Sequence, residues 1–344
     1  MTARNRPSIK EIAARAGVAP STVSNALNDA PEARVAEKTR YRIKQVADEM
    51  GYVPNSFARA LRTNRSHTLA LLSDLVATTP YAGELVRGAH EAAISRGFLL
   101  MIVTTGNDPD VQDLGIRALR QRQMDGVLYA AMSHRVVTLP DRLSSVPLVV
   151  VNARSTDSQQ DCVFPDEFDG GYSATKVMLD AGHRRIGFVL TSESIPARYG
   201  RLDGYRAALA EAGVEFHPEL VAEGPSDTEG GFDAATQLLS RHDRPTGLFC
   251  FNDRMAMGAF RAARRLGMAI PTDVSIVGFD NLEIIAGALD PPLTTIALPY
   301  YEMGAWGVNR VIDKIMGVGH EDSDPHVALR GTLVERSSVA RPQG

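Results

Sequence analysis

Residues 8–28 read SIKEIAARAGVAPSTVSNALN, two short helical patterns separated by a turn that contains Gly17. Ser8 and Glu11 have the S-x-x-E spacing of a capping box, in which each side chain satisfies the amide of the other residue at a helix start. Gly17 suits the left-handed cap that ends a first helix, and Pro20 suits the first position of a second helix. The stretch therefore predicts two helices joined by a tight turn.

The second helical pattern has an apolar face, with Val23 and Leu27, and a polar face. The polar face carries short side chains able to reach phosphates or base edges: Ser21, Thr22, Ser24, Asn25 and Asn28. A third helical pattern follows over residues 37–50. This arrangement is typical of a helix-turn-helix DNA-binding domain, which is predicted over residues 1–52.

Charge is distributed unevenly along the chain. Residues 1–66 hold 12 Lys/Arg and 6 Asp/Glu, a balance of +6, whereas the whole chain carries −4, so the remainder carries −10. A basic head on an acidic body indicates that only the head contacts a polyanion. No apolar run reaches the length of a membrane span, and no apolar stretch follows the N-terminal charges, so a cytoplasmic protein is expected. Cys162 and Cys250 lie in apolar runs and are predicted to be buried thiols.

From Thr68 onward, apolar runs alternate with helical patterns. The strand-like runs are residues 69–73, 99–103, 126–130, 147–151, 186–190, 247–251 and 274–279, and clear helical patterns cover 83–96, 170–181 and 253–266. Such alternation predicts an α/β core with parallel sheets covered by helices on both faces. The number of runs fits two doubly wound subdomains, with crossings between them near 164–167, 290–295 and 322–326.

The residues are specific enough to show a resemblance. GVAPSTVSNALN and VAEKTRYRIKQVADEMGYVPNSFARAL resemble the recognition helix, third helix and hinge of the LacI/GalR family of bacterial transcription regulators. DEFDGGYSATKVMLDAGHRRIGFV, RLDGYRAALAEAG, FNDRMAMGAFRAARRLGM, VSIVGFDN and DPPLTTI continue the resemblance through the body, in family order. It implies a periplasmic-binding-protein-like core that binds a small molecule between its subdomains, at the carboxyl ends of strands.

The resemblance implies that the second helix lies in the major groove of DNA. The positions that select bases are held by Pro20, Ser21 and Asn25, and Asn25 suits adenine. The positions that contact phosphate or cap locally are held by Thr22, Ser24 and Asn28. The chain departs from the family pattern at Ala19, where serine is usual, so one cap and one phosphate contact are missing.

The hinge, residues 53–66, is implied to form a helix in the minor groove when two copies pair. Leu61 matches a leucine that wedges between the central base pairs. Ala58 and Arg59 adjoin it, and Arg62 reaches phosphate. The alternative for Leu61 is an ordinary linker leucine.

The resemblance also implies a set of effector-binding residues: Tyr81, Asn152, Arg201, Asn252 and Asp280. Arg201 would clamp the ligand with its planar fork, and Asp280 would accept from hydroxyl or amine groups. The alternatives are a surface ion pair for Arg201 and a turn for Asp280. Asp166 and Asp253 precede helices and are expected to be caps rather than ligand groups.

A second departure from the family pattern concerns the ligand. Ser226 stands where several sugar- and purine-binding members stack an aromatic ring on it, and the only tryptophan, Trp306, is expected to pack inside a helix. The effector is therefore predicted only as a sugar or other polar metabolite.

These features together predict a sequence-specific transcription regulator, a repressor that binds a palindromic DNA operator as a homodimer under the control of a small-molecule effector. The predicted core spans 67–344, with an N-subdomain of about 67–165 and 293–322 and a C-subdomain of about 166–292 and 323–344. Helices 83–96 and 253–266 are the candidate dimer interface. No leucine heptads follow GTLVERSSVARPQG, so a dimer rather than a tetramer is expected.

Other classes of function are less well supported by the sequence. No phosphate-binding, nucleophile-elbow or zinc-protease motif is present, and the eight histidines lack metal-ligand spacing, so neither catalysis, nor a metal, nor a cofactor is predicted. His183 is expected to be structural. The alternatives left open are a nonspecific architectural DNA-binding protein and an exported-type small-molecule binding protein.

Overall fold

The computed structural model of the chain describes residues 7–27, 35–52, 65–75, 82–106, 108–319 and 324–343. The chain forms two compact units, Met1–His67 and Thr68–Gly344. The described part of the first unit forms three helices, and the second unit alternates strands with helices, which confirms the predicted fold class.

The small unit contains helices α1 (Ile9–Ala16), α2 (Pro20–Leu27) and α3 (Glu37–Glu49). The predicted capping box forms: the Glu11 amide donates to Ser8 Oγ at 3.3 Å, and the Ser8 amide donates to the Glu11 carboxylate at 2.7 Å. Gly17 ends α1 with φ +64°, a left-handed backbone conformation that glycine adopts without strain. The predicted start and end of the first helix are confirmed.

One fully buried side chain from each helix forms the centre of the head: Ile12, Val23 and Ile43. Small side chains close the remaining gaps, namely Ala13, Ala16, Ala26 and Ala47. Because α2 gives Val23 and Ala26 to this core, its opposite face is left for Ser21 and its polar neighbours.

The large unit alternates strands and helices along the chain. Its elements are β1 (Thr68–Ser73), α4 (Ala82–Ser95), β2 (Leu99–Thr104), α5 (Pro109–Gln121), β3 (Gly126–Val137), β4 (Leu148–Ser155), β5 (Cys162–Pro165), α6 (Glu167–Asp180), β6 (Ile186–Thr191), α7 (Pro196–Glu211), β7 (Val221–Gly224), α8 (Thr228–Leu239), β8 (Gly247–Cys250), α9 (Asp253–Arg265), β9 (Ser275–Asp280), α10 (Glu283–Ala286), β10 (Thr294–Ala297), α11 (Tyr300–Met316), β11 (His326–Leu329) and β12 (Thr332–Val334).

The strands form two sheets. Within the described residues the first sheet has the order β11-β5-β4-β3-β1-β2 and is parallel throughout. Alternate residues of β1 face opposite sides: Leu69 and Leu71 pack with α4 and α11, whereas Ala70 and Leu72 pack with α5. Helices therefore cover both faces, as the alternating sequence pattern predicts.

In the described part of the chain, the second sheet has the order β12-β10-β9-β8-β6-β7, and β12 is antiparallel to β10. Helices α6 to α9 pack on it around one apolar core that includes Phe188, Phe249 and Phe279. Cys250 is buried in this core and Cys162 in the first sheet, both with free thiols, as predicted. Trp306 packs against the apolar core of the first sheet, also as predicted.

Strand pairing agrees with one predicted crossing between the sheets and revises two. The first crossing lies between Pro165 and Glu167, inside the predicted range. The second lies after Ala297, not within 290–295, because β10 pairs with β9 in the second sheet. The third lies between Leu329 and Thr332, not within 322–326, because β11 pairs with β5 in the first sheet. A short apolar run does not reveal which sheet edge it joins, so these two boundaries were not readable from the pattern.

Candidate functional site

A cavity of about 340 Å³ lies between the two sheets of the large unit. Its walls come from Asp74, Leu75, Met132, Ser133, His134, Arg135, Asn152, Glu167, Glu193, Ile195, Ala197, Arg201, Ser226, Phe251, Asn252, Arg254, Asp280, Leu282, Leu298 and Tyr300. Several wall residues end or directly follow a parallel strand, as Asp74 follows β1 and Asp280 ends β9. This is the edge of a doubly wound sheet at which ligands bind.

Four of the five residues carried over as effector-binding line this one cavity: Asn152, Arg201, Asn252 and Asp280. Asn152 lies in β4, Arg201 in α7 and Asp280 in β9, whereas Asn252 directly precedes α9. The four are separated by up to 128 positions in sequence. The fifth, Tyr81, lies outside the described residues. The structure thus brings the described candidates together.

Arg201 is buried and held from several sides. Its Nε donates to Glu167 Oε2 at 2.7 Å, and its Nη1 donates to the carbonyl oxygen of Phe251. The guanidinium lies 4.3 Å from the ring centre of Phe251 and 3.6 Å from that of Phe279. Its Nη2 stands 3.9 Å from Asp280 Oδ1. Arg201 is therefore an ion-pair partner, but a buried one, fixed in orientation at the cavity wall.

Glu167 is the first residue of α6 and was not among the predicted site residues. Its burial favours a raised pKa, but the charge of Arg201 and the hydrogen bond from His134 hold the pKa of Glu167 below its ordinary value. The carboxylate is therefore ionised and compensated. An acidic residue in the first turn of a helix is commonly a helix-dipole partner, so its sequence position alone did not indicate this role.

Glycines allow α6 and α7 to approach closely enough for this pair. A Cβ at Gly171 would stand 2.3 Å from the carbonyl oxygen of Arg201, and one at Gly200 would stand 2.6 Å from the Cβ of Glu167. At Gly204 a Cβ would meet the carbonyl oxygen of Phe168 at 2.1 Å. Only glycine at these positions permits the helix contact that sets Glu167 beside Arg201.

His134 extends the pair across the cavity. Its Nδ1 lies 3.1 Å from Glu167 Oε1, and its ring stacks on Phe164 at 4.9 Å between centres. His134 is on β3 of the first sheet, whereas Glu167 and Arg201 belong to helices on the second. Sequence reasoning missed His134 because an isolated histidine within a strand carries no motif.

Two of the predicted residues have an unusual backbone. Asn152 has φ +58° and Asp280 has φ +103°, the region that non-glycine residues rarely adopt. Asparagine tolerates the left-handed region, so the strain falls on Asp280, and strain of this kind collects at functional sites. Removal from water, opposed by the charge of Arg201, raises the pKa of Asp280 to about 7. Asn152 is buried and donates from Nδ2 to the carbonyl oxygen of Ala131 at 2.9 Å.

Asn252 has a structural role besides lining the cavity. Its Oδ1 accepts from the Met255 amide at 2.8 Å and so caps α9. The prediction that Asp253 is the cap is wrong by one position: Asp253 is buried and accepts from the Leu282 amide at 2.6 Å and from Thr295 Oγ1 at 2.7 Å. The prediction for Asp166 is confirmed, because its carboxylate accepts from the Asp169 amide and caps α6.

Ser226 lies in the cavity wall within a polar corner. It donates to Glu193 Oε1 at 2.7 Å, and its oxygen lies 2.6 Å from Thr191 Oγ1. Asn252 Nδ2 donates to the Ser226 carbonyl oxygen at 3.2 Å. Within the described residues the phenylalanine and tyrosine rings of the wall belong to Phe251 and Tyr300, and the guanidinium of Arg201 already lies over the Phe251 ring.

In the head, α2 presents its candidate DNA-binding residues away from the core. Pro20 and Ser21 are exposed, and Thr22, Ser24 and Asn25 are partly exposed. Ala19 supplies only its carbonyl to the start of α2, which accepts from the amides of Thr22 and Val23. The predicted DNA contacts at Asn28, Ala58, Arg59, Leu61 and Arg62 lie outside the described residues.

Among the residues that the structure describes, no group of three or more His, Cys, Asp or Glu side chains could hold a metal ion. His183 is structural, as predicted: its Nδ1 lies 2.8 Å from Thr246 Oγ1, and its Nε2 lies 2.9 Å from the carbonyl oxygen of Ala340. None of the described helices combines the length and the apolar character of a membrane span.

Comparison with known proteins covers both units. The family model "Bacterial regulatory proteins, lacI family" matches residues 8–55, and "Periplasmic binding proteins and sugar binding domain of LacI family" matches residues 65–330. The transcriptional repressor PurR of Proteus mirabilis (strain HI4320) is 32% identical over 96% of each chain. The ribose operon repressor of Haemophilus influenzae is 33% identical over 97% of each chain.

Among solved structures, a complex of the transcriptional regulator CelR with cellobiose is 30% identical and has a TM-score of 0.67. The match covers 97% of this chain and 100% of that one. These relatives are transcription regulators and not enzymes, and they are matched from the helical head through the cavity-bearing core. The chain therefore belongs to the LacI family of bacterial regulatory proteins.

Proposed function

We propose that this regulator represses transcription as a homodimer on a palindromic operator, and that a small polar effector bound in the cavity sets its DNA affinity. The observation that carries the proposal is the convergence of Asn152, Arg201, Asn252 and Asp280 on one cavity between the two sheets. A cavity of about 340 Å³ has the size of a small-molecule site. DNA binding by the head implies a cytoplasmic protein.

The DNA contacts we propose follow the exposed face of α2. Asn25 pairs with an adenine edge, Ser21 and Pro20 contact neighbouring bases, and Thr22 and Ser24 contact phosphate. Asn28 extends this set. In the hinge, Leu61 enters the minor groove beside Ala58 and Arg59, and Arg62 contacts phosphate; unstacking by Leu61 is offset by the longer DNA surface that a bend brings into contact.

The effector class follows from the chemistry of the wall. The numbers of acidic and basic side chains in the wall are nearly equal. The acidic ones are Asp74, Glu167, Glu193 and Asp280, and the basic ones are Arg135, Arg201 and Arg254. Fixed donors and acceptors with few free aromatic faces suit a hydroxylated ligand better than a flat heterocycle. The relative CelR was solved with cellobiose, which is consistent with a sugar-like effector for this chain.

Exposed apolar side chains support a dimer through the first sheet. One group of them lies at the end of α4, on the edge strand β2 and on α5: Ile94, Leu99, Ile102, Val111 and Leu114. An unpaired strand edge with exposed apolar residues is a surface that soluble proteins cover. The apolar residues of α9, the second predicted interface helix, are instead mostly buried. We therefore place the main dimer contact at α4, β2 and α5.

The proposed allosteric link is a change in the relation of the two subdomains on ligand binding, which alters the spacing of the paired hinges. Coupling of this kind amounts to about 1–3 kcal/mol. Hydrogen exchange of residues 53–66 on operator DNA, with and without a verified effector, tests the mechanism. Identical hinge protection in both states would contradict it.

The first experiment is selection of random duplex DNA on the purified chain, followed by binding over a salt series. We expect enrichment of a palindrome by the full-length protein. Equal affinity for all sequences, with only a steep salt dependence, would instead support a nonspecific architectural protein.

A further inference from the structure

One residue of the cavity wall, His134, carries a buried ring nitrogen without a hydrogen-bond partner in the part of the chain that the structure describes. This nitrogen, Nε2, is shielded from solvent. The side chain as a whole is 4% exposed, and His134 is one of the residues that line the cavity. Buried polar atoms are nearly always satisfied, so an exception at a ligand site indicates a partner that arrives with the ligand.

Glu167 fixes the chemical character of this nitrogen. An ionised carboxylate only accepts hydrogen bonds, so the contact at 3.1 Å requires the proton of His134 on Nδ1. In the neutral imidazole, Nε2 is then a bare acceptor. Glu167 cannot turn away, because Arg201 binds its other oxygen at 2.7 Å. The tautomer is therefore set by a buried ion pair on the opposite subdomain.

His326 offers an internal comparison. Its Nε2 is also buried and unpartnered within the described residues, and its ring meets the same Phe164, edge to face at 6.3 Å. His326 is not among the residues that line the cavity. The two histidines thus share a neighbour and an unsatisfied nitrogen, and they differ in access to the cavity.

We propose that His134 Nε2 accepts a hydrogen bond from a hydroxyl group of the effector, which makes His134 a specificity-determining residue of the site. The inference rests on the proposed function of the cavity. A hydroxyl bound to His134 contacts the first subdomain directly. Because His134 contacts Glu167, and Glu167 pairs with Arg201, the same hydroxyl is also connected to the second subdomain. Ligands that lack a donor at this point leave the nitrogen unsatisfied and bind more weakly.

The test uses the full chain and defined probes. Thermal shift and calorimetry measure binding of neutral hydroxylated compounds (ribose, glucose, cellobiose and glycerol) and of anionic ones (ribose 5-phosphate and gluconate). Two substitutions test the two ring nitrogens of His134 separately. His134→Asn keeps an amide near the place of Nδ1, and His134→Gln keeps one near the place of Nε2. His326→Phe is the matched control.

We expect at least one neutral probe to bind the wild type, and His134→Asn to weaken that probe by roughly tenfold, the effect of about one lost hydrogen bond. His134→Gln should recover most of the affinity, and His326→Phe should leave it unchanged. Recovery by Asn and not by Gln would overturn the inference, because it would show that His134 only positions Glu167.

Two further outcomes also count against the inference. If none of the probes binds, or if every probe that binds does so equally well to the wild type and to His134→Asn, the hydroxyl assignment is wrong. The proposed function is judged separately, by selection of an operator from random DNA. A chain that selects a palindrome but shows no effect of His134 substitutions on any probe remains a regulator without this specificity residue.

Discussion

Arg201 and Glu167 form a buried ion pair whose side chains are 5% and 4% exposed, with Nε and Oε2 separated by 2.7 Å. The arginine lies in α7 and the glutamate begins α6, directly after the chain crosses from the first sheet. The residue expected to clamp the effector is therefore also part of the structural support of the cavity.

This dual role changes the expected result of removing Arg201. Arg201→Ala leaves the Glu167 carboxylate buried without its cation, and we expect a loss of about 3–5 kcal/mol in the free energy of unfolding. The double variant Arg201→Met/Glu167→Met should lose less free energy of unfolding than Arg201→Met alone, because the double variant leaves no isolated buried charge. Urea denaturation of the three variants provides the measurement.

The control for that series is Arg198→Ala. Arg198 pairs with Glu223 and also donates to the carbonyl oxygen of Thr191. Its side chain is 19% exposed and that of Glu223 45% exposed, so its removal should cost less than the removal of the buried Arg201. Equal losses for Arg198→Ala and Arg201→Ala would show that burial of the Arg201–Glu167 pair has no energetic importance.

The contact between α6 and α7 makes a second prediction. Gly204→Ala places a Cβ 2.1 Å from the carbonyl oxygen of Phe168, so the helices must separate, at a cost of roughly 1–3 kcal/mol or more. Gly83→Ala, in α4 with open space around the new Cβ, should be neutral or stabilising by up to about 1 kcal/mol. Thermal melts of both variants distinguish a packing effect from the general cost of replacing glycine.

The raised pKa of Asp280 predicts a pH dependence of stability. The folded chain holds the proton of this carboxyl to about pH 7, whereas an ordinary aspartate releases it near 3.8. The protonated Asp280 carboxyl therefore contributes fully to the free energy of unfolding below pH 3.8, and this contribution is lost as the pH rises through 7. Asp280→Asn should flatten the decline in unfolding free energy between these limits.

Asp280→Asn is a mild change, since asparagine tolerates positive φ. The control is Asp233→Asn, at an exposed position of α8, which should leave the pH profile of the wild type unaltered. If Asp280→Asn and the wild type show the same slope of stability against pH, the carboxyl of Asp280 does not titrate in this range.

A fourth prediction concerns base recognition by α2. Asn25→Ala should weaken binding to the selected operator by about 1–3 kcal/mol and relax the preference at one base pair of each half-site, with the salt dependence unchanged. Thr22→Ala, at a proposed phosphate position, should instead weaken all DNA sequences alike. Fluorescence anisotropy with the operator and its single-base variants measures both effects. A uniform loss for Asn25→Ala would remove its assignment to a base.

Local signals in the sequence were sufficient for most of the fold. Ser8, Glu11 and Gly17 define a helix through neighbours in the chain, and the period of apolar residues separates strands from helices. The sheet memberships of β10 and β11 were misjudged because both are four-residue strands whose place depends on distant partners. Such pairing has no local signature.

The same distinction applies to the site. Asn152, Arg201, Asn252 and Asp280 were found through family motifs, but motifs did not reveal what holds them. Glu167 and His134 have their roles only through contacts at sequence separations of 34 and 33. Asp253 was misread because a helix start offers two adjacent candidates for the cap, and only the observed hydrogen bond to Met255 selects Asn252.

The glycine contacts of α6 and α7 are repeated elsewhere in the large unit. Gly231 and Gly258 bring α8 against α9, and Gly88 and Gly304 bring α4 against α11, with backbone atoms within 2.4 Å of each added Cβ. Helices that touch backbone to backbone have no layer of side chains that can rearrange between them. A bound molecule is therefore expected to displace each helix pair as a whole, and the bending must be taken up by the three short segments where the chain passes from one sheet to the other.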